Sequence, residues 1–149
     1  MKKKFTSLFY IFFPIIIGFI TSIFIDTTNY QNLIKPMFSP AKIVFPIAWS
    51  ILYLLIGISY YLYKKTNYFS VTDVIYYLQL FFNFLWSFLF FNFNLKFFSI
   101  IWLIILILLV IILFIRYLKI SKISAYLIFP YIIWLFIALY LNIGIFILN

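Results

Sequence analysis

Tryptophan, tyrosine and side-chain amides recur along this 149-residue chain at the spacing of a helix face. Pro46, Trp49, Ser50, Tyr53, Gly57 and Tyr60 form one stripe. Gln79, Asn83, Ser87 and Phe90, with Trp86 beside them, form a second, and Tyr131, Trp134, Ala138 and Asn142 a third. Residues three or four apart share one side of a helix, so each stripe presents large rings and a few hydrogen-bonding groups together. Such stripes have two uses in lipid. They glue helices, since interhelical hydrogen bonds are worth about 0.6 kcal/mol on average and up to about 2, or they line a cavity for a mostly apolar molecule. Periodicity alone leaves both open.

The residue types that are missing narrow the chemistry further. There is no histidine and no cysteine, and the only acids are Asp26 and Asp73. Nucleophile–base triads need a base, usually histidine. Paired-carboxylate mechanisms need two neighbouring acids, and zinc sites lack ligands here. No catalytic residue and no metal ligand is therefore assigned. Haem iron is commonly held by His, Cys or Met, with Tyr possible; the methionines are Met1 and Met37, neither in a stripe.

The elements that must position the stripes follow from composition. The chain is 68% hydrophobic, 26% aromatic and 9% charged, against about half apolar and a quarter charged in soluble domains. Lipid asks for no polar cover, whereas water does. Five apolar stretches are long enough to cross a bilayer: residues 5–25, 44–63, 74–91, 97–115 and 123–148, which predicts one all-α domain, an integral membrane bundle of five transmembrane helices. The first contributes a weaker stripe of Pro14, Gly18, Thr21 and Ser22. The fourth is almost purely Ile, Leu and Val, which places it toward lipid or a subunit interface.

The net charge of +9 does not point to nucleic acid, because the cations sit singly or in short runs between apolar stretches. Lys2, Lys3, Lys4, Lys64, Lys65, Arg116, Lys119 and Lys122 fall on one side, against Lys35, Lys42 and Lys96 on the other. That bias predicts a cytoplasmic N-terminus. High usage of Ile, Phe, Asn and Lys is compatible with an AT-rich genome, hence a bacterial inner membrane. Loop 26–42, stiffened by Pro36 and Pro40, is either a lid over the bundle mouth or a plain surface loop.

Three segments resemble a known family when read in order. Tyr30-x-x-Leu33-x-Lys35-Pro36-x-Phe38-x-Pro40 leads into Val44-Phe45-Pro46-x-x-Trp49-x-x-Leu52-Tyr53-x-x-x-Gly57. Gln79-Leu80-x-x-Asn83-x-x-Trp86-Ser87-x-x-Phe90-Phe91 follows, then Pro130-Tyr131-x-x-Trp134-x-x-x-Ala138-x-x-Leu141-Asn142. Across nearly the whole chain this resembles the TspO/MBR family, the tryptophan-rich sensory and translocator proteins. Ala41 and Ile43 depart from it, where proline and an aromatic are frequent, and no Lys or Arg follows Tyr140 as the sterol-associated pattern would require.

The resemblance implies five helices around a pocket open toward the first loop, often in homodimers. It implies binding of protoporphyrin IX or haem without covalent attachment, and of lipid-like molecules. By position, Trp49, Asn83, Trp134 and Ala138 match pocket residues, while Pro40, Phe45, Trp86 and Phe90 match its walls or lid; Tyr53 joins them from its stripe. On this reading Asn83 and the Trp49 indole N–H orient a carbonyl or carboxylate, and Lys35 or Lys42 meets a propionate. The implied role is sensory, regulatory or porphyrin-handling. The alternatives are transport of porphyrins or lipids, and light- or oxygen-dependent porphyrin breakdown beside Trp49 and Trp134.

Overall fold

The computed structural model describes residues 2–66 and 69–149, with side chains from residue 8 onward apart from that gap. Its elements are all helical: α1 (Lys2–Phe24), a short α2 (Thr28–Asn32), α3 (Val44–Lys64), α4 (Val71–Ser87) running into a π-helical turn (Phe88–Asn92), α5 (Lys96–Ile120) and α6 (Lys122–Leu148). Val44–Lys64, Val71–Asn92, Lys96–Ile120 and Lys122–Leu148 are each long and apolar enough to cross a membrane, and α1 is apolar over Leu8–Phe24. The molecule is a helical membrane bundle.

Two glycines decide how α1 meets α3. A Cβ on Gly57 would run into the Ile11 carbonyl, and one on Gly18 into the Tyr53 ring. Close backbone approach through small residues is how helices associate where lipid is as apolar as leucine. Further links are polar: the Ser59 hydroxyl donates to the Ser124 carbonyl at 2.7 Å between α3 and α6. The Trp102 indole donates to the Phe82 carbonyl at 2.9 Å between α5 and α4.

Two expectations need correction. α5 is not merely peripheral: Leu103, Leu106, Val110, Leu113 and Tyr117 are fully buried against its neighbours, while Ile101, Ile104, Leu108, Ile112 and Ile115 face outward. Both sides of this helix are apolar, so its inner face leaves no trace in the residue pattern. The second correction concerns where α4 starts. It begins at Val71 rather than 74, because Ser70 and Asp73 form a capping box around its first turn.

That capping box draws an acid into the interior. Asp73 is fully buried, 2.9 Å from the Lys64 ammonium. It also accepts from the Tyr60 hydroxyl at 2.7 Å, the Ser70 amide at 2.6 Å and the Tyr63 hydroxyl at 3.4 Å. Tyr60 lies flat on Tyr76, their centroids 3.7 Å apart. This end of the bundle is closed.

Replacing Asp73 with alanine strands the Tyr60 hydroxyl and the Lys64 ammonium and removes the cap. Unfolding free energy in detergent is expected to fall by about 3 kcal/mol; a loss below about 1 kcal/mol would show that the cluster does not hold the closed end.

Candidate ligand cavity

At the opposite end the helices diverge and leave a cavity of about 560 Å³. α3 supplies Phe45, Trp49 and Tyr53; α4 and the π turn supply Trp86, Ser87, Phe90 and Phe91; α6 supplies Trp134, Ala138, Leu141 and Asn142. α1 closes part of the remaining wall with Ile15, Gly18 and Thr21, and Tyr30 and Gln31 of α2 reach it from above.

The aromatic lining is one connected cluster. Trp49 stacks on Tyr53 at 5.3 Å and meets Trp134 edge-on at 6.4 Å. It approaches Trp86 at 6.4 Å, and Trp86 stacks on Phe90 at 5.9 Å. Phe45 meets Trp134 edge-on at 5.9 Å. The indole N–H groups of Trp86 and Trp134 are buried and have no hydrogen-bond partner among the described residues. A buried donor without a partner is costly, and both indoles belong to residues that line the cavity.

The π turn brings two neighbouring rings to the cavity. Its i+5 bond, Phe93 N–H to the Phe88 carbonyl at 3.0 Å, widens the helix before Asn94 turns the chain with φ of 52°. Asparagine tolerates that left-handed conformation better than most residues. Phe90 and Phe91 both line the cavity as a result.

Of the residues singled out from the sequence, Phe45, Trp49, Tyr53, Trp86, Phe90, Trp134 and Ala138 line the cavity. Asn83 and Pro40 stand outside the lining. Asn83 is beneath the floor, where its amide accepts from the Tyr53 hydroxyl at 2.7 Å and donates to the Tyr131 hydroxyl at 2.8 Å. Tyr131 in turn donates to the side-chain amide oxygen of Gln79, Oε1, at 3.2 Å. The Asn83 amide therefore orients Tyr53 and Tyr131 in this structure. Lys42 borders the cavity, whereas the Lys35 ammonium is held by the carbonyls of Gln31 and Leu33 at 3.3 Å each.

Other lining residues lay in view without being selected. Asn142 belonged to the third stripe; it is buried beside the cavity and exchanges hydrogen bonds with Ser99 at 3.0 and 3.1 Å. Tyr30 lay in the lid motif. Its ring is wedged against Phe45, Phe90 and Phe91 at 5.3–6.3 Å, and burial raises its phenol pKa. The side-chain hydroxyl and backbone amide of Thr28 hold the Asp26 carboxyl below its ordinary value. That anchor for α2 is complete at ordinary pH and is lost only as pH falls below the usual carboxylate range.

Tyr53→Phe removes the donor to Asn83 while keeping the ring. A stability loss of about 1–2 kcal/mol is expected in detergent melting, with the aromatic lining intact by tryptophan emission. A neutral result would mean that Asn83 finds another partner.

Comparison with known proteins agrees with the motif order. The TspO/MBR family pattern matches residues 10–148. The chain is 35% identical over 138 residues to the tryptophan-rich protein TspO of Archaeoglobus fulgidus, covering 89% of this chain and 90% of that one. It is 29% identical over 126 residues to the tryptophan-rich protein TspO of Chlorobaculum tepidum, covering 80% and 78% respectively. A family match spanning nearly the whole chain and a 35% identical relative of nearly the same extent lead to one conclusion: this chain belongs to the TspO/MBR family.

Proposed function

We propose that the cavity binds a porphyrin or a similar flat apolar molecule, and that the protein acts in porphyrin sensing or handling rather than as an enzyme. The observation that carries this reading is an aromatic slot of about 560 Å³ lined by Trp49, Trp86, Phe90 and Trp134. Its size falls within the range of small-molecule sites, about 300–1,000 Å³. Flat rings gain area and dispersion against Trp49, Phe90 and Trp134, with about 0.5–1.5 kcal/mol for each well-placed aromatic pair. Lys42 offers a cation to a ligand carboxylate at the rim.

The same reading has α1 as a fifth transmembrane span and the chain in a bacterial inner membrane, with its N-terminus in the cytoplasm. Lys64, Lys65, Arg116, Lys119 and Lys122 flank the closed end, which supports that orientation through the positive-inside bias. The cavity then faces the other side of the membrane. A second copy of the chain is the expected partner within the bilayer.

Porphyrin is held here without strong axial ligation. No histidine or cysteine exists in the chain, and Met37 sits 76% exposed on the lid. Metal-free protoporphyrin IX is expected to bind at least as well as haem in optical titrations; a strong-field six-coordinate haem spectrum would overturn the unligated mode.

Tryptophan fluorescence tests the site itself. Protoporphyrin IX should quench the wild type, and Trp49→Phe and Trp134→Phe should each weaken binding about tenfold. Unchanged affinity in both variants would remove these rings from the site.

A further inference from the structure

The cavity is sealed on most sides, and its exposed lining residues show where it is not. On α4, the π turn and α6 the wall is closed: Trp86, Phe90, Leu141 and Asn142 are all buried. The lid over the top is tied down at several points. The Asn149 amide pairs both ways with the Ile34 backbone, at 2.9 and 3.0 Å. The Tyr140 hydroxyl donates to the Met37 carbonyl, and Pro36 sits so close to Gly144 that a Cβ there would come within 2.6 Å of its ring.

The remaining edge lies between α1 and α3. At the level of the cavity floor these helices touch, through Gly57 and Ile11 and through Gly18 and Tyr53. Nearer the lid, Phe19 and Ser22 of α1 and Pro46 and Ser50 of α3 line the cavity and are exposed, Phe19 by 66%, and Thr27, Gln31 and Lys42 continue the exposed lining to the lid. Residues that face both ways mark an open wall. Its surroundings are apolar: Ile16, Ile20, Ile23, Ile47 and Ile51 are exposed on the same two helices. Along these two helices the gap opens onto hydrocarbon, and at Thr27, Gln31 and Lys42 it reaches the lid.

The rim is adapted to that setting. The Ser22 hydroxyl donates to the Phe19 carbonyl at 2.7 Å, and the Ser50 hydroxyl to the Pro46 carbonyl at 2.8 Å. Each serine satisfies its donor within its own helix, as lipid requires, while its small side chain leaves the gap wide.

We propose that ligand enters and leaves the cavity sideways, through the gap between α1 and α3, as an amphiphile already dissolved in the bilayer, while the lid stays latched. The proposal rests on the reading of the cavity as a ligand site. It adds the class of molecule admitted: one that partitions into hydrocarbon and carries a hydrogen-bond acceptor, not a freely water-soluble anion.

Stopped-flow tryptophan quenching in proteoliposomes, with protoporphyrin IX supplied from donor vesicles, tests the route. In Ser22→Phe/Ser50→Phe, association and dissociation should both slow about tenfold, because narrowing a passage raises the barrier in both directions. Asn149→Ala, which unties the lid, should leave both rates within about twofold. Wild-type rates in the double variant, or association accelerated about tenfold by Asn149→Ala, would overturn the sideways route.

A second measurement needs no porphyrin. Phospholipid brominated along its acyl chains should quench the cavity tryptophans in a Trp102→Phe background, and the serine double variant should lose at least half of that quenching. Equal quenching with and without the double substitution would overturn the gap. Serine-dependent lipid quenching without any porphyrin binding would sink the porphyrin reading and leave the gap standing.

Discussion

The approach of α1 to α3 sets the geometry of the whole bundle. Gly57 has no side chain, so the Ile11 carbonyl packs directly on its backbone, and Gly18 accepts the Tyr53 ring in the same way. Lipid provides no hydrophobic drive for this association, which depends on close packing and polar links. With Tyr53 pressed against α1, its hydroxyl meets Asn83, and Asn83 fixes Tyr131. The floor of the cavity is thus built outward from one close crossing, and above it the helices are free to part.

A bilayer interior also forces every polar group to find its partner inside the protein, and the two ends of the bundle meet that demand differently. At the closed end Asp73, Lys64, Tyr60, Tyr63 and Ser70 satisfy one another in a compact cluster. Among the described residues some buried groups stay unpaired at both ends, the indoles of Trp86 and Trp134 near the cavity and the hydroxyls of Tyr76 and Tyr117 near the closed end. What separates the two ends is packing: the first holds a compact ionic cluster, the second a cavity. The π turn belongs to the second part, as a local departure from ideal helix geometry that places rings on the cavity.

Asn83 shows how far a sequence pattern reaches. Its spacing from Gln79 and Ser87 correctly put it on an inward face, where it is buried. Whether an inward amide meets a ligand or a neighbouring hydroxyl depends on which side chain from another helix arrives first, and here Tyr53 and Tyr131 do. α5 marks the opposite limit. With Ile and Leu on every side its inner stripe could not be read, because in lipid the buried and exposed faces of a helix obey the same preference.

Composition by itself determined that the chain is a helical membrane bundle and roughly where its long apolar helices fall. It did so because hydrocarbon selects strongly, residue by residue, for length and apolarity. The stripes of Trp49, Trp86, Trp134 and Ala138 likewise announced an aromatic interior. Only the tertiary structure decided that these rings surround a void, that Asn83 lies beneath it, that Asp73 is buried, and that one wall is open between α1 and α3. Those are matters of how helices from distant parts of the chain lean on each other, which no local pattern encodes.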